Sequence, residues 1–146
     1  MRENIQIITH NEAETIAFAR GLSVRVQAGD VILLHGDLGM GKSVFSRAII
    51  RALCGNDCLE VPSPTFTLVQ QYDAPLCALW HFDLYRLSDS SEIYEIGWEE
   101  AMDGGVSLVE WPERLGVLKP VRNIEVTLSL VSGEQDARNI KVVYHD

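Results

Sequence analysis

The sequence predicts a three-layer α/β domain, a central mixed, mostly parallel sheet flanked by helices, with antiparallel strands alongside. Three observations carry this. Asp30-Val31-Ile32-Leu33-Leu34-His35 is an apolar, partly β-branched run that reads as a buried strand, and Val44 to Leu53 then sets apolar residues at helical spacing before a stop at Gly55. Two further strand-like runs, Cys77–Asp83 and Val106–Glu110, each finish in an acid and are separated by helical signals. The last third holds two β-rich stretches, Ile124–Leu130 and Asn139–Tyr144, the first alternating polar and apolar residues as an antiparallel strand with one wet face would.

The chain has 146 residues, which fits one domain across 1–146 with a core of ordinary size. Hydrophobic content of 47% and charged content of 23% belong to a soluble globular protein. The start, Met1-Arg2-Glu3-Asn4-Ile5-Gln6, lacks the apolar core of a signal peptide, and no apolar run reaches the ~18–20 residues of a membrane span. The expected location is therefore the cytoplasm, without a membrane partner. A net charge of −9 disfavours a broad electrostatic grip on nucleic acid, which needs clustered Lys and Arg. Cys54, Cys58 and Cys77 match no zinc spacing and read as buried, reduced thiols.

In chain order, Ile5–Ile8 is a short strand. Thr9-His10-Asn11-Glu12 fits a capping box with Thr9 as N-cap, and Ala13, Ile16, Ala17 and Leu22 predict a helix over 11–22. Gly29-Asp30 turns the chain into the buried strand described above. After Gly55, Pro62 and Pro64 deny a helix and leave a loop carrying the hydroxyls of Ser63, Thr65 and Thr67. Leu68–Tyr72 and Cys77–Asp83 form a hairpin around Asp73-Ala74-Pro75. Asp89-Ser90-Ser91-Glu92 caps a short helix that turns Ile93 and Ile96 inward and ends at Gly97; Trp98–Met102 adds a helical turn. Val106–Glu110 is a buried strand, Trp111-Pro112 leaves the sheet, and Ser132–Asp136 turns between the last two strands.

Between the first buried strand and its helix, Gly36-Asp37-Leu38-Gly39-Met40-Gly41-Lys42-Ser43 spells G-x-x-x-x-G-K-[ST], the phosphate-binding loop of nucleoside triphosphatases, in the strand–loop–helix setting that motif requires. Its glycines let successive N–H groups turn toward phosphate oxygens, and the new helix aims its positive end at the same anion. Lys42 would reach the β- and γ-phosphates, and the Ser43 hydroxyl would ligate magnesium. The P-loop fold is thus the expected version of the three-layer architecture.

Hydrolysis also needs carboxylates, to hold magnesium and to orient the attacking water. Asp83 and Glu110 stand at the C-terminal ends of predicted strands, where open α/β sheets bind ligands. Either could share the metal shell, and Asp83 could instead polarise the water. His81 alternates with Asp83, so it either orients that acid or is a packed, hydrogen-bonded core histidine. Arg86 either neutralises transition-state charge or forms an ordinary ion pair. Trp111 either covers the nucleotide or a partner, or anchors the core. The Pro62–Thr67 segment is either a rigid connector or a switch loop that senses the γ-phosphate.

Four motifs occur in order: Gly36–Ser43, Ser63-Pro64-Thr65-Phe66-Thr67, His81-Phe82-Asp83-Leu84-Tyr85-Arg86, and Val109-Glu110-Trp111-Pro112. Together they resemble the bacterial TsaE family, formerly YjeE, over nearly the whole chain. The resemblance implies an ATP- and Mg2+-dependent ATPase, slow alone, that supports synthesis of threonylcarbamoyladenosine beside the tRNA anticodon. It implies TsaD and TsaB as partners, with TsaC making the threonylcarbamoyl-adenylate donor, tRNA met only through the complex, and hydrolysis resetting that complex between cycles. By motif, it implies that Lys42 and the loop backbone (Leu38, Gly39, Met40, Gly41) hold phosphates. Ser43 and Glu110 would hold magnesium, Thr65 would belong to the switch-like loop, and Asp83 would be the catalytic acid. Asn11 and Arg138 resemble positions lining the adenine side. Two other readings share the phosphate loop: a small-molecule or RNA-end kinase, although no arginine-rich lid is visible, and a nucleotide-gated interaction module.

Overall fold

The structure is a computed structural model that describes residues 2–37 and 39–146. Its framework is one seven-stranded sheet in the order β1-β7-β6-β2-β5-β4-β3, where β1 is Ile5–Thr9, β2 Val31–His35, β3 Val69–Asp73, β4 Ala78–Asp83, β5 Val106–Glu110, β6 Asn123–Val131 and β7 Glu134–His145. The four central strands, β6, β2, β5 and β4, run parallel, whereas β1–β7, β7–β6 and β3–β4 pair antiparallel. The sheet is therefore mixed, and its parallel character is confined to the middle. Short links explain the flanks: Asp73 to Ala78 and Val131 to Glu134 are too close for a crossover, so those strands return as hairpins.

One layer of helix covers each face. On one side lie α1 (Glu12–Ser23) and α2 (Lys42–Cys54), which bury Phe45, Ile49, Leu34, Val126 and Ile140 against the sheet. On the other lie α3 (Trp98–Met102) and two 3₁₀ segments, Ser90–Ile96 and Pro112–Leu118, around Phe82, Trp98, Val109 and Leu115. Among the described residues no helix is long and apolar enough to cross a membrane.

The expected cap of α1 shifts by two residues. Asn11 is the N-cap, its Oδ1 accepting from Glu14 N at 2.9 Å, and the Glu14 carboxylate accepts from His10 N at 2.9 Å. Thr9 does not cap the helix because it still belongs to the ladder, opposite Arg138, and its buried hydroxyl pairs with that of Thr15 at 2.7 Å. At the other end of the nucleotide motif, α2 stops as expected at Gly55, whose φ of 65° lets Asn56 N close back on Arg51 O. Asp89 forms the expected capping box with Glu92. All three cysteines are free; Cys54 and Cys77 are half-buried, with burial raising both thiols above their ordinary range, but Cys58 is exposed rather than buried.

Gly97 joins the Ser90–Ile96 segment to α3 at φ 96°, and a Cβ there would lie 2.6 Å from Trp80 Cζ3. Gly97→Ala therefore combines left-handed strain with overpacking of a core indole. It is expected to lose about 2–4 kcal/mol of stability, read as a lowered urea midpoint. A midpoint within error of the wild type would show that the Trp80 ring gives way freely.

Glu125 on β6 gathers a lysine and two histidines of its flank. Lys119 Nζ lies 2.9 Å and His35 Nε2 3.2 Å from Oε1, and His145 Nε2 lies 2.9 Å from Oε2. Burial acts to raise this carboxyl, but the hydrogen bonds from Lys119 and His145 prevail and bring it from 4.5 to about 2. A carboxyl depressed by folding stabilises the protein above its unfolded value and loses that contribution as pH falls toward 2. The stability gap between wild type and Glu125→Gln should thus be full above about pH 5 and close toward pH 2, as followed by denaturant melts. A gap independent of pH would contradict this assignment.

Candidate functional site

The phosphate loop is built where β2 ends. Gly36 passes so close to β6 that a Cβ would lie 3.1 Å from Leu128 O, and Gly41 begins α2 in the left-handed region at φ 93°. Neither position accepts a side chain without strain, and that is what lets the backbone curl into a cradle. The first N–H groups of α2 have no partner within the helix. Leu38, expected among the phosphate-binding residues, lies outside the described residues.

Lys42 is buried at the first position of α2 and rests its ammonium 3.8 Å from the centroid of the Trp111 ring. Trp111 is held in the left-handed region at φ 58°, and its ring meets Tyr85 at 4.9 Å between centroids. A bulky residue at positive φ is uncommon and persists only where neighbours compel it. Here Lys42, Tyr85 and the following Pro112 do so. Trp111 shares both of its readings: half-exposed, it lines the cavity and also packs against the core cluster around Phe82 and Trp98.

The two acids stand side by side, Asp83 opposite Glu110 in the parallel pairing of β4 with β5. Both are buried, at 5% and 7% exposure, and both face the cavity that contains Lys42 and Ser43. Asp83 Oδ1 accepts from Tyr85 N at 3.0 Å and Oδ2 from the Thr65 hydroxyl at 3.2 Å. Thr65 is in turn 2.7 Å from the Ser63 hydroxyl. The backbone adds a clip: Leu68, at φ 69°, donates to Pro64 O at 2.7 Å and accepts from Asp83 N at 3.0 Å. The Pro62–Thr67 loop is therefore fastened to one carboxylate of the site.

Glu110 is held differently. His81 Nε2 lies 2.7 Å from Glu110 Oε2, and both side chains are almost fully buried. His81 shares a face with Asp83 as expected, yet its hydrogen bond goes to the acid on the next strand. Of the two readings of Arg86, the ordinary ion pair is not found: among the described residues it forms none and lies 4.3 Å over the Phe66 ring. Tyr85 lines the site although the sequence singled it out for no role; only its place in the motif beside Asp83 hinted at one.

The cavity holding Lys42, Ser43, Thr65, Asp83, Glu110 and Trp111 has a volume of about 430 Å³. A second, of about 330 Å³, adjoins it across Gly41 and Val44 and contains Asn11, Met40 and Arg138. Arg138 spends its guanidinium on the backbone: Nε donates to Met40 O at 3.0 Å, and one terminal nitrogen to Gln135 O and Ala137 O, each at 2.8 Å. It ties β7 to the phosphate loop. Asn11 likewise has its carboxamide oxygen engaged in capping α1.

A strand, glycine cradle and helix beside a parallel sheet, with a buried lysine and paired acids at the strand ends, define a protein of the P-loop α/β class. Residues 9–140 match the model of the family described as threonylcarbamoyl adenosine biosynthesis protein TsaE. The chain is 42% identical over 141 residues to the tRNA threonylcarbamoyladenosine biosynthesis protein TsaE of Rickettsia bellii, covering 97% of each. It is 34% identical over 128 residues to that of Bacillus subtilis, covering 87% of this chain and 78% of the relative. Its fold superposes on the crystal structure of Bacillus subtilis YdiB with a TM-score of 0.78 at 27% identity, covering 100% of this chain and 88% of the other. The chain belongs to the TsaE family, a family of tRNA threonylcarbamoyladenosine biosynthesis proteins.

Proposed function

We propose that the protein is the magnesium-dependent ATPase of the bacterial tRNA threonylcarbamoyladenosine system, a cytoplasmic partner of TsaD and TsaB that resets their complex between cycles. One observation carries the hydrolytic part of this reading: Asp83 and Glu110 lie in register on adjacent strands and face the same cavity as Lys42 and Ser43. A cradle alone would bind phosphate; a cradle with two acids at its rim can also direct water.

The residues suit a hard cation completed by ligand oxygens. Ser43 offers a hydroxyl, and Glu110 offers the carboxylate oxygen that His81 leaves free. Among the described residues no cluster of three or more His, Cys, Asp or Glu could hold a metal alone. Magnesium habitually takes one or two protein oxygens together with phosphate and water. Bound there, it would neutralise charge on the β- and γ-phosphates.

The chain's own part is positioning. Lys42 and the loop N–H groups hold the β- and γ-phosphates, and Asn11 and Arg138 frame the neighbouring cavity for the nucleoside. Water attacks the γ-phosphorus, the bond to the bridging β-oxygen breaks, and Asp83 accepts the proton the water loses; ADP and inorganic phosphate leave. The Thr65–Asp83 hydrogen bond makes the Pro62–Thr67 loop responsive to that step. An acidic chain suits this role, since it meets tRNA only through TsaD and TsaB.

The test is reconstituted tRNA modification with TsaD and TsaB, followed over several cycles with wild-type and Asp83→Ala protein. The first cycle should proceed with both, and later cycles only with the wild type. Equal multi-cycle yields would defeat the resetting role.

A further inference from the structure

The buried imidazole of His81 is an unassigned group at the base of the site. Its Nε2 meets Glu110 Oε2 at 2.7 Å, and its Nδ1 is sealed from solvent with no partner among the described residues. The ring is 2% exposed. It lies beside Leu108 in the parallel β4–β5 register, one pleat below the Asp83–Glu110 pair. A proton on Nδ1 would be a buried donor with nothing to receive it, whereas a proton on Nε2 is received by Glu110 at a short distance. The geometry therefore calls for a proton on Nε2.

We infer that His81 is a positioning residue that fixes the Glu110 carboxylate through one N–H, turning its second oxygen toward the metal-nucleotide. The inference rests on the proposed ATPase reading and deepens it. A glutamate carries several rotatable bonds, and at a strand end it can point many ways; a hydrogen bond from the sheet interior selects one. Asp83 cannot provide this hold, because a carboxylate has no proton to donate to another; its own oxygens accept from Thr65 and Tyr85. The two acids thus answer to different structures. Asp83 is tied to the Pro62–Thr67 loop, while Glu110 is tied to the sheet and keeps its orientation whatever that loop does. Metal binding and loop state are thereby separated within one cavity.

The experiment compares ATP affinity with magnesium and with chelator, by calorimetry, in wild type, His81→Ala and His81→Gln. Chelator-state affinity should stay the same in all three. The gain conferred by magnesium should fall roughly 10- to 100-fold in His81→Ala, the usual effect of losing a residue that orients a ligand. It should return largely in His81→Gln, whose amide nitrogen can donate at a similar depth. Independently, nitrogen-detected NMR of the ligand-free wild type should find the His81 proton on Nε2. A full magnesium gain in folded His81→Ala, or a proton on Nδ1, overturns the inference. If His81→Ala does not fold, failure of folded His81→Gln to keep the gain overturns it equally. A wild type whose ATP affinity ignores magnesium, with the proton still on Nε2, overturns instead the proposed ATPase and leaves the His81–Glu110 bond standing.

Discussion

Lys42→Ala is expected to weaken nucleotide binding severely while leaving the fold intact. The side chain is buried at the base of the cradle and makes no side-chain hydrogen bond among the described residues; its only specific contact is the Trp111 ring. That cation–π contact is worth roughly 0.5–2 kcal/mol, little enough for a triphosphate to outbid. The ring therefore parks the ammonium, buried from most solvent, within the cavity proposed for the phosphates. Removing a buried charge from its charged partner costs about 2–5 kcal/mol, so affinity should drop at least ~30-fold. The loop N–H groups and the start of α2 survive the substitution and set the residue of binding that remains. Titration calorimetry gives the affinity, and Trp111 fluorescence gives a second signal because its cation leaves. Unchanged affinity with an unchanged melting temperature would remove Lys42 from the phosphate site.

How much of this site could be read from the chain depends on whether the signal was local. The phosphate loop and its flanking elements were legible because an apolar run, spaced glycines and a 3.6-residue repeat are properties of neighbours in sequence. Both acids were legible for the same reason, each closing an apolar strand. Thr9 shows where local reading fails. It has the composition of a cap, but pairing with Arg138 keeps it in the sheet, and Asn11 takes the role. His81 shows the other limit. Its face was deducible from strand alternation; its partner depended on β4 lying beside β5, and parallel strands joined by crossovers do not announce their neighbours. The Arg86–Phe66 contact and the ring-to-ammonium contact of Trp111 with Lys42 each join residues of two different motifs, and nothing local in either motif announces the pairing. The candidate chemical groups were thus visible in the chain, whereas the contacts that would aim them, the His81–Glu110 bond above all, were not.

Asp83→Asn is the substitution that separates binding from turnover. Asparagine keeps the shape of the side chain, and its carboxamide oxygen can still accept from Tyr85 N. Its NH2 group then faces Thr65, whose hydroxyl can accept as readily as donate, so the tie to the Pro62–Thr67 loop is conserved. What asparagine cannot do is take a proton from water. ATP affinity should accordingly stay within roughly threefold, less than 1 kcal/mol, because the substitution only replaces charged hydrogen bonds to Thr65 and Tyr85 with neutral ones. Hydrolysis should fall by about 10²- to 10⁴-fold, the usual span for losing a positioned base. Thr65→Val supplies the contrast, since it leaves the carboxylate and removes its link to the loop. If Asp83 served only to anchor that loop, Thr65→Val would impair turnover more than Asp83→Asn. The reverse order, with both variants binding ATP normally, is the result expected of a base whose hydrogen bond to Thr65 couples the chemistry to the loop.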